Sequence, residues 1–291
     1  MLDEKVDSLR IYVLAEDFAG YSSLFWAQHG VSFLLEMEIE GEKKHLLFDT
    51  ASYSEPILHN LKLLKKNIGE VDYIVISHNH YDHTGGLPGI MKEINKEISI
   101  FAHPEIFKVS FSVDPFFRYI GPPKNLREDV EKYGGIWILS REPIYIAPGV
   151  FTLGEILDGE REDWEKSKTH VVMVKDGRKV EDRMNDEIGL AVLTSKGLVV
   201  IGGCSHPGIV SMAKKAMKLA EVDKVYAVIG GFHLVNADEK RIENTVNAFR
   251  EIGVEHIYTG HCTGLNAECE FKKQLGDKFH KLHAGMIIDL A

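Results

Sequence analysis

Tyr73-Ile74-Val75-Ile76-Ser77-His78-Asn79-His80-Tyr81-Asp82-His83 is the stretch on which the reading of this chain turns. Its first four residues form a short continuous apolar run, which suits a strand buried on both faces. The run leads directly into His78, His80, Asp82 and His83, three imidazoles and a carboxylate within six residues. Neutral imidazole and carboxylate are the groups that bind zinc, iron or manganese. A loop at a strand's carboxyl end can aim alternate side chains at one point. His78 and His80 alternate, so they can share one ion, while Asp82 and His83 lie on the next turn and can reach a second a few ångström away. A polar surface loop without ligands is the plainer alternative.

Outward from this loop the pattern is largely regular. The apolar, β-rich runs 9–15, 31–39 and 45–48 predict an antiparallel start, with Glu40-Gly41 turning the second run into the third. Ser54 reads as the cap of a helix that has Pro56 in its first turn and Ile57, Leu58, Leu61 and Leu64 on one face. Beyond Gly85-Gly86, a helix through Met91 and a strand over 98–102 complete a β-α-β unit. From about 104 to 182 the periodicity weakens. Pro and aromatic residues gather there, among them Phe111, Phe116, Phe117 and Tyr119, and a charge run spans 158–168. This span reads as an irregular insertion covering a site.

A hairpin over 188–194 and 198–201 then feeds Gly202-Gly203-Cys204-Ser205-His206-Pro207-Gly208 and a helix to about Ala220. A strand over 224–229 exits through Gly230-Gly231-Phe232-His233, Asp238 caps a helix over 239–252, and a strand over 256–259 exits into Gly260-His261-Cys262-Thr263-Gly264. The second half repeats the first half's order of strand, histidine-bearing loop and helix. His206, His233 and His261 are therefore candidates to complete the ligand sets, each with a satisfied loop histidine as the alternative. Ser205 before Pro207-Gly208 reads as a helix N-cap whose backbone N–H groups would favour an anion. His233 is a candidate for binding or protonating a substrate phosphate.

The composition excludes several classes. With 291 residues, 44% hydrophobic and 27% charged, the chain is ordinary globular material, either two domains or one α/β domain with an internal repeat. Its 34 Lys and Arg against 44 Asp and Glu leave a net charge of -10, which argues against nucleic acid as the main partner. The apolar runs fall short of the roughly 20 residues that span a bilayer, and the start lacks a basic segment followed by an apolar one. A soluble, cytoplasmic protein with no membrane partner is expected. Cys204, Cys262 and Cys269 have no CxxC spacing and are expected as reduced thiols.

Taken with Phe48-Asp49-Thr50 at an earlier strand end, His78-x-His80-x-Asp82-His83 resembles the metallo-β-lactamase-fold superfamily of metallohydrolases over nearly the whole chain. Three later motifs, 203–208, 229–234 and 259–264, resemble the branch of 7,8-dihydropterin-6-methyl-4-(β-D-ribofuranosyl)aminobenzene-5'-phosphate synthases. The resemblance implies an α/β fold: an αββα sandwich of two mixed β-sheets flanked by helices, formed by one domain over 1–291. It implies two divalent metal ions, zinc in the first place, with manganese, iron or magnesium as alternatives. His78 and His80 match ligands of the first metal, and Asp82, His83 and His261 match ligands of the second. Asp49 matches a carboxylate that orients an imidazole. Most relatives place a histidine before the hairpin and a bridging Asp after it. Here Asp186-Glu187 precede the hairpin and Cys204 sits near the bridging position. His206 is accordingly taken as the remaining ligand of the first metal, and Cys204 as either a ligand or a small buried residue.

The implied activity is displacement of diphosphate from a pterin methyl diphosphate by an aminobenzene, with a phosphorylated small molecule as the partner. Asp82 and His233 would be catalytic, Ser205 and His233 would bind substrate, and Phe116 and Phe117 would stack on flat rings or form a local core. The alternatives are a hydrolase that admits water in place of the aminobenzene, and a non-catalytic metal- or ligand-binding protein.

Overall fold

The computed structural model describes residues 4–166 and 170–291. The extreme start of the chain and the last two residues of the charge run 158–168 lie outside the described residues. The first sheet is built from β1 (Ser8–Ala15), β2 (Ser32–Ile39), β3 (Glu42–Phe48), β4 (Tyr73–Val75) and β5 (Ile98–Ala102). The span expected to be irregular contributes β6 (Ser110–Ser112), β7 (Arg118–Tyr119), β8 (Gly135–Leu139), β9 (Tyr145–Ala147), β10 (Val150–Thr152), β11 (Val171–Lys175) and β12 (Arg178–Glu181). The second half adds β13 (Leu190–Thr194), β14 (Gly197–Ile201), β15 (Val225–Gly231), β16 (His256–Gly260), β17 (Phe279–Lys281) and β18 (Ile287–Asp289). The helices are α1 (Ser54–Leu63), α2 (Tyr81–Thr84), α3 (Leu87–Ile94), α4 (Leu126–Glu131), α5 (Ile209–Ala220), α6 (Glu239–Glu251) and α7 (Leu265–Leu275).

Two seven-stranded sheets result, in the orders β18-β1-β2-β3-β4-β5-β8 and β17-β16-β15-β14-β13-β10-β9. Alternation along the strands explains how they stack. In β1, Leu9, Ile11 and Val13 enter a core shared with Val192, Val199 and Ile201 of the other sheet. The intervening Tyr12 and Leu14 pack on the opposite face with α1 and α3. In β14, Leu198 and Val200 likewise turn outward to meet residues of α5, α6 and α7. Because both faces of each sheet are apolar, helices must cover the outer faces, and the outcome is the expected αββα sandwich.

Only part of 104–182 departs from this sandwich. β8 extends the first sheet beside β5, and β9 and β10 extend the second beside β13. The expectation of an irregular insertion is corrected: β6, β7, β11 and β12 form a separate four-stranded sheet. Two caps are corrected as well. Tyr53, not Ser54, holds the N-cap position of α1. The N-cap position of α5 is Gly208, so Ser205 lies outside that helix.

In the first sheet β3, β4, β5 and β8 run parallel, and in the second β14, β15, β16 and β17 do so. Parallel strands present their carboxyl ends on one rim, which is where ligand-bearing loops of α/β sheets gather. Asp49 follows β3, the histidine loop follows β4, Cys204 and His206 follow β14, His233 follows β15, and His261 follows β16.

Candidate metal centre

Four donor groups form here among the described residues; two hold the predicted ligands, and the others are Cys204, His233 and Cys262, and Asp17, His29 and His261. One donor atom from each of His78, His80 and His206 lies within 4.8 Å of the others, and the same holds for Asp82, His83, Cys204 and His261. His78 Nε2 is 3.1 Å from His80 Nδ1, and the His206 ring centroid lies 4.9 Å from that of His78. In the second cluster His83 Nε2 is 3.2 Å from Cys204 Sγ, His261 Nε2 is 3.3 Å from the same sulfur, and Asp82 Oδ2 is 3.4 Å from His261 Nε2. All six sequence-predicted ligands are therefore brought together, and Cys204 joins them.

The carboxylates behind the imidazoles explain their orientation. Asp49 accepts from Ser77 N and Ser77 Oγ, each at 2.7 Å, and its Oδ2 lies 2.6 Å from His83 Nδ1. Glu187 Oε2 is 2.6 Å from His206 Nδ1 and also accepts from His206 N. Asp17 Oδ2 is 2.5 Å from His261 Nδ1. Each carboxylate engages an Nδ1 and leaves Nε2 facing inward, the arrangement that fixes an imidazole ligand. Gly30 guards the second cluster: its φ is +105°, and a Cβ there would sit 1.8 Å from the Asp82 carbonyl oxygen.

The donors fit a bound cation. His80 Nε2 is buried without a hydrogen-bond partner, and such an atom is rarely left unsatisfied. Burial and then the neighbouring imidazoles hold His78 and His80 well below the usual imidazole range, so both are in the neutral form that ligates metals. In the second cluster burial opposes charge, yet Asp49 and Asp82 outweigh it and push His83 up to about 10. Burial is likewise outweighed at His261, which Cys262, Asp17 and Asp82 hold well above its ordinary value. Asp82 stays well below the carboxylate range, since His83 and His261 overcome its burial. This cluster is rich in negative charge that protons or a metal ion must balance.

Several placements differ from expectation. Ser205 is fully buried and its Oγ donates to the Gly231 carbonyl oxygen at 2.7 Å, so it is neither a helix cap nor part of the cavity wall. The start of α5 is taken by the chain's own Glu165, which accepts from Val210 N at 3.0 Å and Ser211 N at 2.8 Å; no anion is needed there. Phe116 and Phe117 are 64% and 57% exposed and lie outside the cavity wall; Phe117 stacks on Phe111 at 4.6 Å, the local packing weighed above. His233 does line the cavity, with its ring 4.4 Å from that of His206 and its Nδ1 buried without a partner.

Glu187, Asp17 and His29 also belong to the site, beyond the residues expected from the sequence. His29 Nδ1 is 2.7 Å from Asp17 Oδ1, and its Nε2 is 3.4 Å from Asp82 Oδ2. Asp17 carries the same signal as Asp49, an acid just past the end of a buried strand. Glu187 directly precedes an apolar hairpin, where an acid has to be buried. We expect Glu187→Gln to weaken metal affinity about 10- to 100-fold, because it removes the charge behind His206 and leaves one amide oxygen where two carboxylate oxygens now face Cys204 N, Ser205 N, His206 N and His206 Nδ1. Competition with a chromogenic chelator measures this, and a variant matching the parent would show that Glu187 only shapes the loop.

Comparisons with known proteins bear on the family and the fold. The family model described as "Metallo-beta-lactamase superfamily" matches residues 28–172. A 7,8-dihydropterin-6-methyl-4-(beta-D-ribofuranosyl)-aminobenzene-5'-phosphate synthase of Methanocaldococcus jannaschii is 58% identical over 286 residues, 98% of this chain and 97% of the relative. An uncharacterized protein of the same organism is 32% identical over 91% of this chain and 95% of its own length. Among solved structures, a metal-dependent hydrolase of the beta-lactamase superfamily superposes with a TM-score of 0.79 at 29% identity, covering 97% of this chain and 99% of that one.

Proposed function

The chain belongs to the metallo-β-lactamase superfamily, and from that membership we propose that it is a metal-dependent synthase that joins a dihydropterin methyl diphosphate to a ribofuranosyl aminobenzene 5'-phosphate with loss of diphosphate. The observation that carries this reading is the 58% identity to a synthase of that name over 98% of the chain. The donor clusters support it on physical grounds, because the cations they fit would supply the concentrated positive charge that a diphosphate leaving group needs.

In this reading His78, His80 and His206 would hold one divalent ion, and Asp82, His83 and His261 with Cys204 would hold another. Imidazole and thiolate donors suit zinc better than magnesium, which takes oxygen ligands. Bound ions would supply Lewis acidity toward the phosphoryl oxygens. The protein's own part is positional: Asp49, Glu187 and Asp17 keep Nδ1 of His83, His206 and His261 engaged, so the imidazoles do not turn away when substrate arrives. His233, on the cavity wall beside His206, would donate a hydrogen bond or proton to the departing diphosphate. The cavity of about 410 Å³ that contains these groups is within the range of small-molecule sites. Among the described residues no helix is long and apolar enough to cross a membrane, and we keep the cytoplasm as the proposed location.

Incubating the purified protein with the pterin diphosphate and the aminobenzene tests the reading. The expected result is stoichiometric release of diphosphate and a coupled product by mass. Hydrolysis of a generic phosphodiester without coupling would replace the synthase reading by a hydrolase one.

A further inference from the structure

Five buried side-chain polar atoms lack a hydrogen-bond partner among the described residues, and three of them, His80 Nε2, His233 Nδ1 and Arg241 Nε, belong to residues lining one cavity. The first two adjoin the donor clusters, but Arg241 does not belong to either cluster. It stands in the first turn of α6, and the two carboxylates that act on it are already committed. Glu165 is bound to the start of α5, and Asp238 Oδ1 accepts from the Arg241 backbone N at 2.8 Å; Arg241 forms a salt bridge with neither. A second guanidinium, that of Arg118 on β7, lines the same cavity and has no carboxylate partner among the described residues. Arg118 is exposed and Arg241 partly buried, so this cavity carries two guanidiniums, one of them largely withdrawn from water, with no direct carboxylate contact among the described residues, in a chain of net charge -10.

We propose that Arg118 and Arg241 form an anion subsite, separate from the histidine clusters, that takes the 5'-phosphate of the ribofuranosyl aminobenzene. The assignment rests on the synthase reading, in which the substrates bring two kinds of phosphate. The diphosphate must be activated and leave. The 5'-phosphate persists in the product, so it must be gripped without being made reactive. A guanidinium fork does this: it matches a phosphate with paired N–H donors and fixed charge, and it offers no nucleophile. Holding this end of the substrate would also fix the orientation of the aminobenzene nitrogen toward the clusters.

Calorimetric titration with 4-(β-D-ribofuranosyl)aminobenzene 5'-phosphate and with its dephosphorylated form tests this without turnover. The parent protein is expected to bind the phosphorylated compound at least tenfold more tightly. Arg118→Gln and Arg241→Gln should each weaken that binding about 10- to 100-fold and leave the dephosphorylated compound unaffected. Arg241→Lys should recover only part of the loss, since the charge returns without the fork. Equal affinity of the parent for both compounds, or variants that bind the phosphorylated one as the parent does, would overturn the subsite. Coupling activity of the parent is measured in parallel. A phosphate-dependent affinity without coupling would preserve the subsite and refute the synthase reading alone.

Discussion

His80→Ala is expected to lower turnover by about three orders of magnitude or more and to leave the purified protein with less bound metal than its parent. The ring has no structural duty that would mask the effect. Its Nε2 is buried with no partner, its Nδ1 meets only His78 Nε2 at 3.1 Å, and it lines the cavity instead of packing in one of the three apolar cores. Truncation removes one of three donors in that cluster and leaves His78 and His206 to hold an ion alone. A metal centre contributes several kcal/mol of transition-state stabilisation, and about 1.4 kcal/mol corresponds to tenfold in rate, so a loss near a thousandfold follows. His256→Ala provides the comparison, since His256 opens β16 at the end away from His261. Elemental analysis and initial rates are the measurements. A His80→Ala protein that keeps both its metal and a tenth of the parent's activity would remove the basis for placing the chemistry at this rim.

That rim was legible because its signals are local. Each ligand loop follows a short apolar run within a few residues, so strand prediction and ligand prediction reinforce one another at His78 to His83, at His206 and at His261. What escaped depends on distant pairing. Glu187 and His206 meet across 19 residues, and Asp17 and His261 across 244, so the position of each acid at a strand end does not reveal which imidazole it meets. Ser205 followed by Pro207-Gly208 looks locally like a helix start, but Ser205 is buried with φ +58° and its hydroxyl is drawn to Gly231, so the helix begins later. The strands of 135–152 were obscured by neighbouring prolines and by exposure. Ile136 and Ile138 face outward on the edge strand β8, which gives an apolar alternation with no polar face. Arg241 could not have been singled out at all, since its significance lies in what the nearby acids already bind.

Lys108→Met is expected to destabilise the fold by about 3–5 kcal/mol, because it strands buried carboxylates. Lys108 Nζ lies 2.8 Å from Asp182 Oδ1 and also bonds Asp186, and all three side chains are almost wholly shielded from solvent. Asp186 Oδ2 in turn accepts from Asn79 N at 3.1 Å, between His78 and His80, so this charge cluster ties the chain after β5 to the histidine loop. Without the amine, Asp186 would have to remain ionised in a buried site or take up a proton. Burial already holds its pKa above the ordinary carboxylate value despite Lys108, and losing the lysine raises it further. A raised folded-state pKa means that the folded form binds more protons than the unfolded one. Its contribution is therefore present in acid and is lost as the pH rises through that value. The penalty of Lys108→Met should thus be larger at pH 8 than at pH 5. The combined variant Lys108→Met, Asp182→Asn, Asp186→Asn should recover much of the loss, since the amide oxygen of residue 186 can still accept from Asn79 N. Denaturant unfolding at the two pH values decides the matter. A single variant within about 1 kcal/mol of its parent at pH 8 would show that the carboxylates are solvated and that the loop is held by other contacts.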